Sequence, residues 1–164
     1  MAHSNHAAPL ALPTTGSGWR IGIVAARWHG NIVESLVQGA KATLLGAGVT
    51  AENITLVHCP GSYEIPVCAS VMARSGCVDA VIALGVVVRG ETAHFEYVSS
   101  PVAHGLMQIS LETGVPCMFG VLTTENIEQA QERAGGGAGN KGAEAASGAL
   151  ETLETLQSIR SLQP

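Results

Sequence analysis

DAVIALGVVV, residues Asp79–Val88, places nine apolar or small residues in unbroken succession behind one aspartate. A strand with one face in water alternates apolar and polar side chains. This one does not, so both its faces are expected to be covered, as in the interior of a parallel sheet. Working outward, Arg20–Ala26 (RIGIVAA) and Asn53–His58 (NITLVH) precede it as shorter strand candidates, and Pro116–Leu122 (PCMFGVL) follows. Helical periodicity fills the gaps. Asn31, three residues before Glu34, reads as a capping-box start, and Val33, Leu36, Val37, Ala40 and Leu44 continue to Gly46 and Gly48. Glu64–Arg74 reads as a helix with Pro66 in its first turn, where a missing N–H costs little. A long helix runs from about His94 to Thr113. A shorter one, opened by Thr124, ends at Ala134, and Lys141–Leu162 forms the last, after the break Gly135–Gly139.

Strand and helix alternating four times predict an α/β fold: a three-layer α/β/α sandwich around a four-stranded parallel sheet. Right-handed crossovers then bring every strand's C-terminal end to one edge. The polar loops 27–31, 60–64, 89–94 and 123–126 all follow strands, so they meet where open α/β sheets bind ligands. Met1–Gly18, rich in Ala, Pro, Ser and Thr, reads as a flexible arm, and residues 19–164 as a single domain.

Composition narrows the function. Thirteen acids against eight Lys and Arg give a net charge of −5, which disfavours a nucleic-acid surface. No apolar run approaches the length of a membrane span, and the first nineteen residues lack Lys and Arg, as neither a secretory nor a transit peptide would. A cytoplasmic protein is expected. Cys59, Cys68, Cys77 and Cys117 form no C-x-x-C pair, so they read as small buried hydrophobes rather than metal ligands or a redox pair. No G-x-G-x-x-G, Walker loop, G-x-S-x-G elbow or H-E-x-x-H helix occurs.

Four groups of residues could carry chemistry. Trp28, one of six aromatic residues, is either a loop anchor or a flat ring for stacking on a heteroaromatic ligand. Ser62 and Glu64 either cap the helix that follows or receive ligand hydroxyls. In Arg89–His94, Gly90 permits a sharp turn, Thr92 opens a helix whose N–H groups can cradle an anion, and His94 can pass protons at neutral pH. Arg133 closes a helix before the glycine cluster, where its charge offsets the helix dipole, and Lys141 is one of only two lysines.

Five segments, in order, resemble the lumazine synthases: IVAARW at 23–28, PGSYEIP at 60–66, ALGVVVRGETAHFEYV at 83–98, GVLTTENIEQAQERAG at 120–135 and AGNKGAEAA at 138–146. The resemblance spans about Ile21 to Leu156. It implies a flavodoxin-like fold and the penultimate step of riboflavin biosynthesis. There 5-amino-6-(D-ribitylamino)uracil and 3,4-dihydroxy-2-butanone 4-phosphate condense to 6,7-dimethyl-8-ribityllumazine, phosphate and water, without cofactor or metal. By motif, Trp28 would stack on the pyrimidine, and Ser62, Tyr63 and Glu64 would line ring and ribityl chain. Val87 and Val88 would flank the ring, and Gly90, Glu91 and Thr92 would face the phosphate. His94 would shuttle protons. A neighbouring subunit would supply Phe119 to close the pocket and Arg133 to bind phosphate, with Lys141 nearby. Tyr63 stands where the family often has Phe, and Gly136-Gly137 where a bulkier residue is common. The resemblance also implies a homopentamer. The short link Gly135–Gly142 fits closure of twelve pentamers into a 60-subunit shell, with the free pentamer as the alternative. It further implies an N-terminal arm adding a strand to a neighbour's sheet, and riboflavin synthase as a partner. Two rival readings are a non-catalytic lumazine or flavin carrier on the same fold and a flavodoxin-like electron carrier.

Overall fold

The computed structural model describes residues 18–162. Four strands, β1 (Ile21–Ala26), β2 (Ile54–Cys59), β3 (Ala80–Val88) and β4 (Cys117–Thr124), form a parallel sheet in the order β2-β1-β3-β4. Five helices, α1 (Gly30–Gly46), α2 (Ile65–Arg74), α3 (His94–Thr113), α4 (Ile127–Glu132) and α5 (Lys141–Arg160), cover it. The expected three-layer α/β/α sandwich is present. The expected arm lies, through Ser17, outside the described residues, and so does its expected strand on a neighbour.

The unalternating β3 has a simple cause. Ala80, Ile82, Leu84 and Val86 pack with Leu36, Val37, Ala40 and Leu44 of α1 and Ala146, Ala149 and Leu150 of α5. Val81, Ala83 and Val87 face the other way, onto Ile65 and Ala69 of α2 and Val102, Leu106 and Ile109 of α3. Successive side chains point to opposite faces, so a strand with two cores must be apolar throughout. β1 divides likewise: Ile21, Ile23 and Ala25 join the first core, Val24 and Ala26 the second.

α1 and α5 approach closely because residue 142 is glycine: a Cβ there would stand 2.0 Å from the Leu36 carbonyl oxygen. Asn140 locks the same contact. Its Oδ1 accepts from the Gly142 and Ala143 N–H groups at 2.9 and 3.1 Å, while its amide donates to the Ser35 carbonyl at 2.8 Å.

Several boundaries differ from those expected. The capping box at Asn31 does not form. His29 occupies the N-cap in the left-handed region (φ 57°, ψ 42°) without a side-chain cap bond, so α1 begins at Gly30, with Asn31 inside its first turn. Glu34 instead accepts from Gln38 at 2.5 Å. Asn126, not Thr124, caps α4, through Oδ1 to the Gln129 N–H at 2.9 Å; Thr124 is buried in β4. Asn53 belongs to a 3-10 turn, Ala51–Asn53, ahead of β2. The glycine cluster is more than a break: Ala134–Gly136 (β5) and Gly139–Asn140 (β6) pair as a small antiparallel ribbon. All four cysteines are free; Cys59 and Cys117 are buried as expected. Cys68 is only half-buried on α2, and Cys77 is exposed because it lies in the turn before β3. Among the described residues no helix is long and apolar enough to cross a membrane.

Candidate active site

The chain leaves β1 outward to β2 on one side and crosses to β3 on the other, so the sheet reverses its winding between β1 and β3. The loops after those two strands diverge there and open a crevice, as expected for a parallel sheet. A cleft of about 610 Å³ occupies this place, a size suited to a small molecule. Trp28, Ser62, Tyr63, Glu64, Val87, Val88 and His94 all line it.

The β1 wall is Trp28. Its side chain is 69% exposed, so it is not an anchor packed into its own chain, and its ring is available to a ligand. The β2 wall is a 3-10 turn, Ser62–Glu64. Ser62 is buried and donates from Oγ to the Val86 carbonyl at 3.4 Å, tying this turn to β3. Gly85 permits that approach, since a Cβ there would lie 2.6 Å from the Ser62 hydroxyl oxygen. Glu64 accepts the Gly61 N–H on Oε2 at 2.9 Å. It therefore does cap the turn, and the same bond fixes the carboxylate against the cleft, with lone pairs left for hydroxyl donors. Beneath, Cys59 donates to the Gly61 carbonyl at 3.3 Å, and burial, the chief cause, pushes its thiol pKa up to about 11. The site has no thiolate nucleophile there.

The β3 wall ends in the turn to α3. Gly90, Glu91 and Thr92 lie exposed at its tip and do not line the cleft itself. Gly90 does not use its conformational freedom: its φ is not positive, and a Cβ would meet nothing within 4 Å. The sharp turn expected of it is not what the glycine provides. The Thr92 hydroxyl accepts the His94 N–H at 3.4 Å, which occupies one of the donors expected to cradle an anion. His94 opens α3, exposed and facing the cleft. Tyr97, Val98 and Pro101 share its wall. Sequence reading did not single them out, although their spacing of three, four and seven residues from His94 marks one helix face.

Phe119, Arg133 and Lys141 lie elsewhere. They line a hollow of about 430 Å³ on the β4 side that shares no residue with the cleft. Phe119 is 45% exposed. Arg133 donates from Nη1 to the Gln129 carbonyl at 3.0 Å, the helix-end role weighed for it, and Lys141 pairs with Glu144 at 2.6 Å. Among the described residues no Lys or Arg lines the cleft.

Residues 18–157 match the family of 6,7-dimethyl-8-ribityllumazine synthase. The 6,7-dimethyl-8-ribityllumazine synthase of Porphyromonas gingivalis is 51% identical over 121 residues, covering 74% of this chain and 75% of that one. The protein of the same name from Aquifex aeolicus is 50% identical over 121 residues, covering 74% and 79%. Its namesake from Kineococcus radiotolerans is 51% identical over 120 residues, 73% of each chain. A cleft at the switch point of a four-stranded parallel sheet, and likeness of this extent, lead to one conclusion: the chain belongs to the 6,7-dimethyl-8-ribityllumazine synthase family.

Proposed function

We propose that the cleft between β1 and β3 condenses 5-amino-6-(D-ribitylamino)uracil with 3,4-dihydroxy-2-butanone 4-phosphate, and that its chemistry is carried by binding, orientation and proton transfer. The observation that carries this reading is the convergence of Trp28, Glu64 and His94 on one cleft. The pyrimidine brings its own nucleophile. Its 5-amino group attacks the ketone, water leaves to form a Schiff base, the phosphate is eliminated, and the ribitylamino nitrogen closes the ring with loss of a second water. No protein nucleophile is required. Trp28 stacks on the pyrimidine, Val87 and Val88 flank it, Ser62 and Tyr63 line the ring and side chain, and Glu64 accepts ribityl hydroxyls. His94 takes the proton from the attacking amine and returns it to the departing hydroxyl. Orientation of the two substrates is worth roughly 7–11 kcal/mol.

The dianionic substrate needs a cation, and among the described residues no Lys or Arg lines the cleft. Gly90, Glu91 and Thr92 face the phosphate, and a neighbour's Arg133 supplies the countercharge, with its Phe119 closing the ring pocket and its Lys141 close by. Inorganic phosphate binds at the same place. The site is thus shared between subunits of a homopentamer, and the short link Gly135–Gly142 allows twelve pentamers to close into a 60-mer. In this reading residues 19–164 form a single domain. The protein works in the cytoplasm, where riboflavin synthase takes its product. Mixing the two substrates and following lumazine absorbance tests the reading: the absorbance rises with enzyme concentration if it holds, and a flat trace overturns it.

A further inference from the structure

Arg89 is the first residue after β3, and three groups hold it. Its Nη1 pairs with Glu96 in the first turn of α3, its Nε pairs with Glu125 in the turn after β4 at 2.9 Å, and its guanidinium carbon lies 4.1 Å from the centroid of the Phe95 ring. Its backbone N–H donates to the Thr124 carbonyl at 2.9 Å. One side chain thus ties the end of β3, the start of α3 and the end of β4. The turn it spans, Gly90–Ala93, is exposed throughout. Three bonds brace it locally: the Thr92 hydroxyl accepts the His94 N–H, and the Ala93 carbonyl accepts the Glu96 and Tyr97 N–H groups. Glu96 and Glu125 also leave the guanidinium more than neutralised, so its charge is already engaged.

Resting on the reading of the reaction above, we propose that Arg89 is a positioning residue. It does not bind the phosphate; it clamps the 90–92 turn and the start of α3 so that the phosphate-facing backbone and His94 are held at the cleft. Glu64 is held by the Gly61 N–H and Val87 by the pairing of β3 with β4, while Trp28 follows a different strand, so the ring substrate depends little on the clamp.

The test uses the full-length assembled protein, both substrates varied in turn, and inorganic phosphate as a competing probe. Charge-preserving variants separate geometry from charge. Arg89→Lys keeps the cation but loses the planar fork that reaches two carboxylates, and Phe95→Leu removes the ring platform. In each, KM for the butanone phosphate and the inhibition constant for phosphate should rise about three- to tenfold, with a fall in kcat, while KM for the pyrimidine stays within about twofold. Arg89→Gln should show the same split more strongly. Phosphate constants unchanged in both Arg89→Lys and Phe95→Leu would overturn the clamp, because charge alone would then suffice. So would pyrimidine constants that worsen in step with the phosphate ones, the mark of general destabilisation. Wild-type turnover is the control: its absence overturns the reading of the reaction, whereas turnover without the split overturns only the role of Arg89.

Discussion

Trp28 and His94 line one cleft but differ in what each can do for a reaction, and that difference is measurable. Stacking acts on ground and transition states alike, so Trp28→Ala should raise KM for the pyrimidine about threefold to tenfold and change kcat less. The ring is mostly exposed, so thermal stability should stay within about 0.5 kcal/mol of wild type. Titration with the lumazine product, read alongside a melting curve, checks both. His94→Asn should do the reverse, lowering kcat roughly 10–10³-fold while binding holds, because proton transfer matters only in the transition state. Single-turnover rates across pH 6–8 are the measurement. An unchanged rate would make His94 a structural residue. At this scale the sequence was legible where a residue type has few uses: an isolated Trp in a loop, a His at a helix start. It was not legible for Arg89, whose partners Glu96 and Glu125 come from two different elements, nor for Gly90, whose neighbours determine whether a glycine is needed.

Elements were legible where their apolar pattern has a single cause. β3, apolar on both faces, and the stripe of α1 follow directly from the two cores. Starts were less so, because the deciding group is often a backbone angle or a distant carbonyl. His29 overrides the Asn31–Glu34 pattern by taking a left-handed conformation, and Asn140 caps α5 while bonding α1 at Ser35. The same two elements supply a stability prediction. Gly142→Ala would push a methyl into the Leu36 backbone and should destabilise the fold by about 1–3 kcal/mol, seen as a lower denaturant midpoint with an unchanged slope. At the entrance to the sheet, Asp79 offers a pH test. Burial, the largest single influence, raises its pKa, but the Arg20 hydrogen bonds at 2.8 and 3.2 Å and the Arg20 and Arg160 charges together outweigh it. The carboxyl is therefore held below its ordinary value. A pKa depressed in the folded state contributes stability above the unfolded value, about 3.9, that is lost as pH falls through the folded one. Asp79→Asn should lower the melting temperature by about 1–3 °C at pH 7. The gap should close as pH falls below about 4. A gap that persisted at pH 2 would show that the cost is packing and not charge.

On the scale of the whole molecule, the placement of cations decides how many chains make one site. Among the described residues Glu64 is the one Asp, Glu, Lys or Arg that lines the cleft, so the proposed phosphate substrate finds no Lys or Arg there, while Arg133 and Phe119 line a hollow on another face. The low charge content, 13% of residues, is in keeping with the shared site proposed above. This arrangement makes a prediction that no single-chain site can imitate. Arg133→Ala and His94→Asn should each fall well below wild type as pure proteins, His94→Asn by at least about tenfold. Unfolded together in equal amounts and refolded, they should regain activity, because some interfaces then join the intact His94 of one chain to the intact Arg133 of its neighbour. In a head-to-tail ring each site lies between one ordered pair of chains. Random mixing therefore makes about one site in four wholly native, and activity should return to about a quarter of wild type. Analytical sedimentation of the same mixture must show the assembled species. If activity stays at the level of the separate variants while assembly is complete, each chain carries its own phosphate site and the shared cleft is wrong.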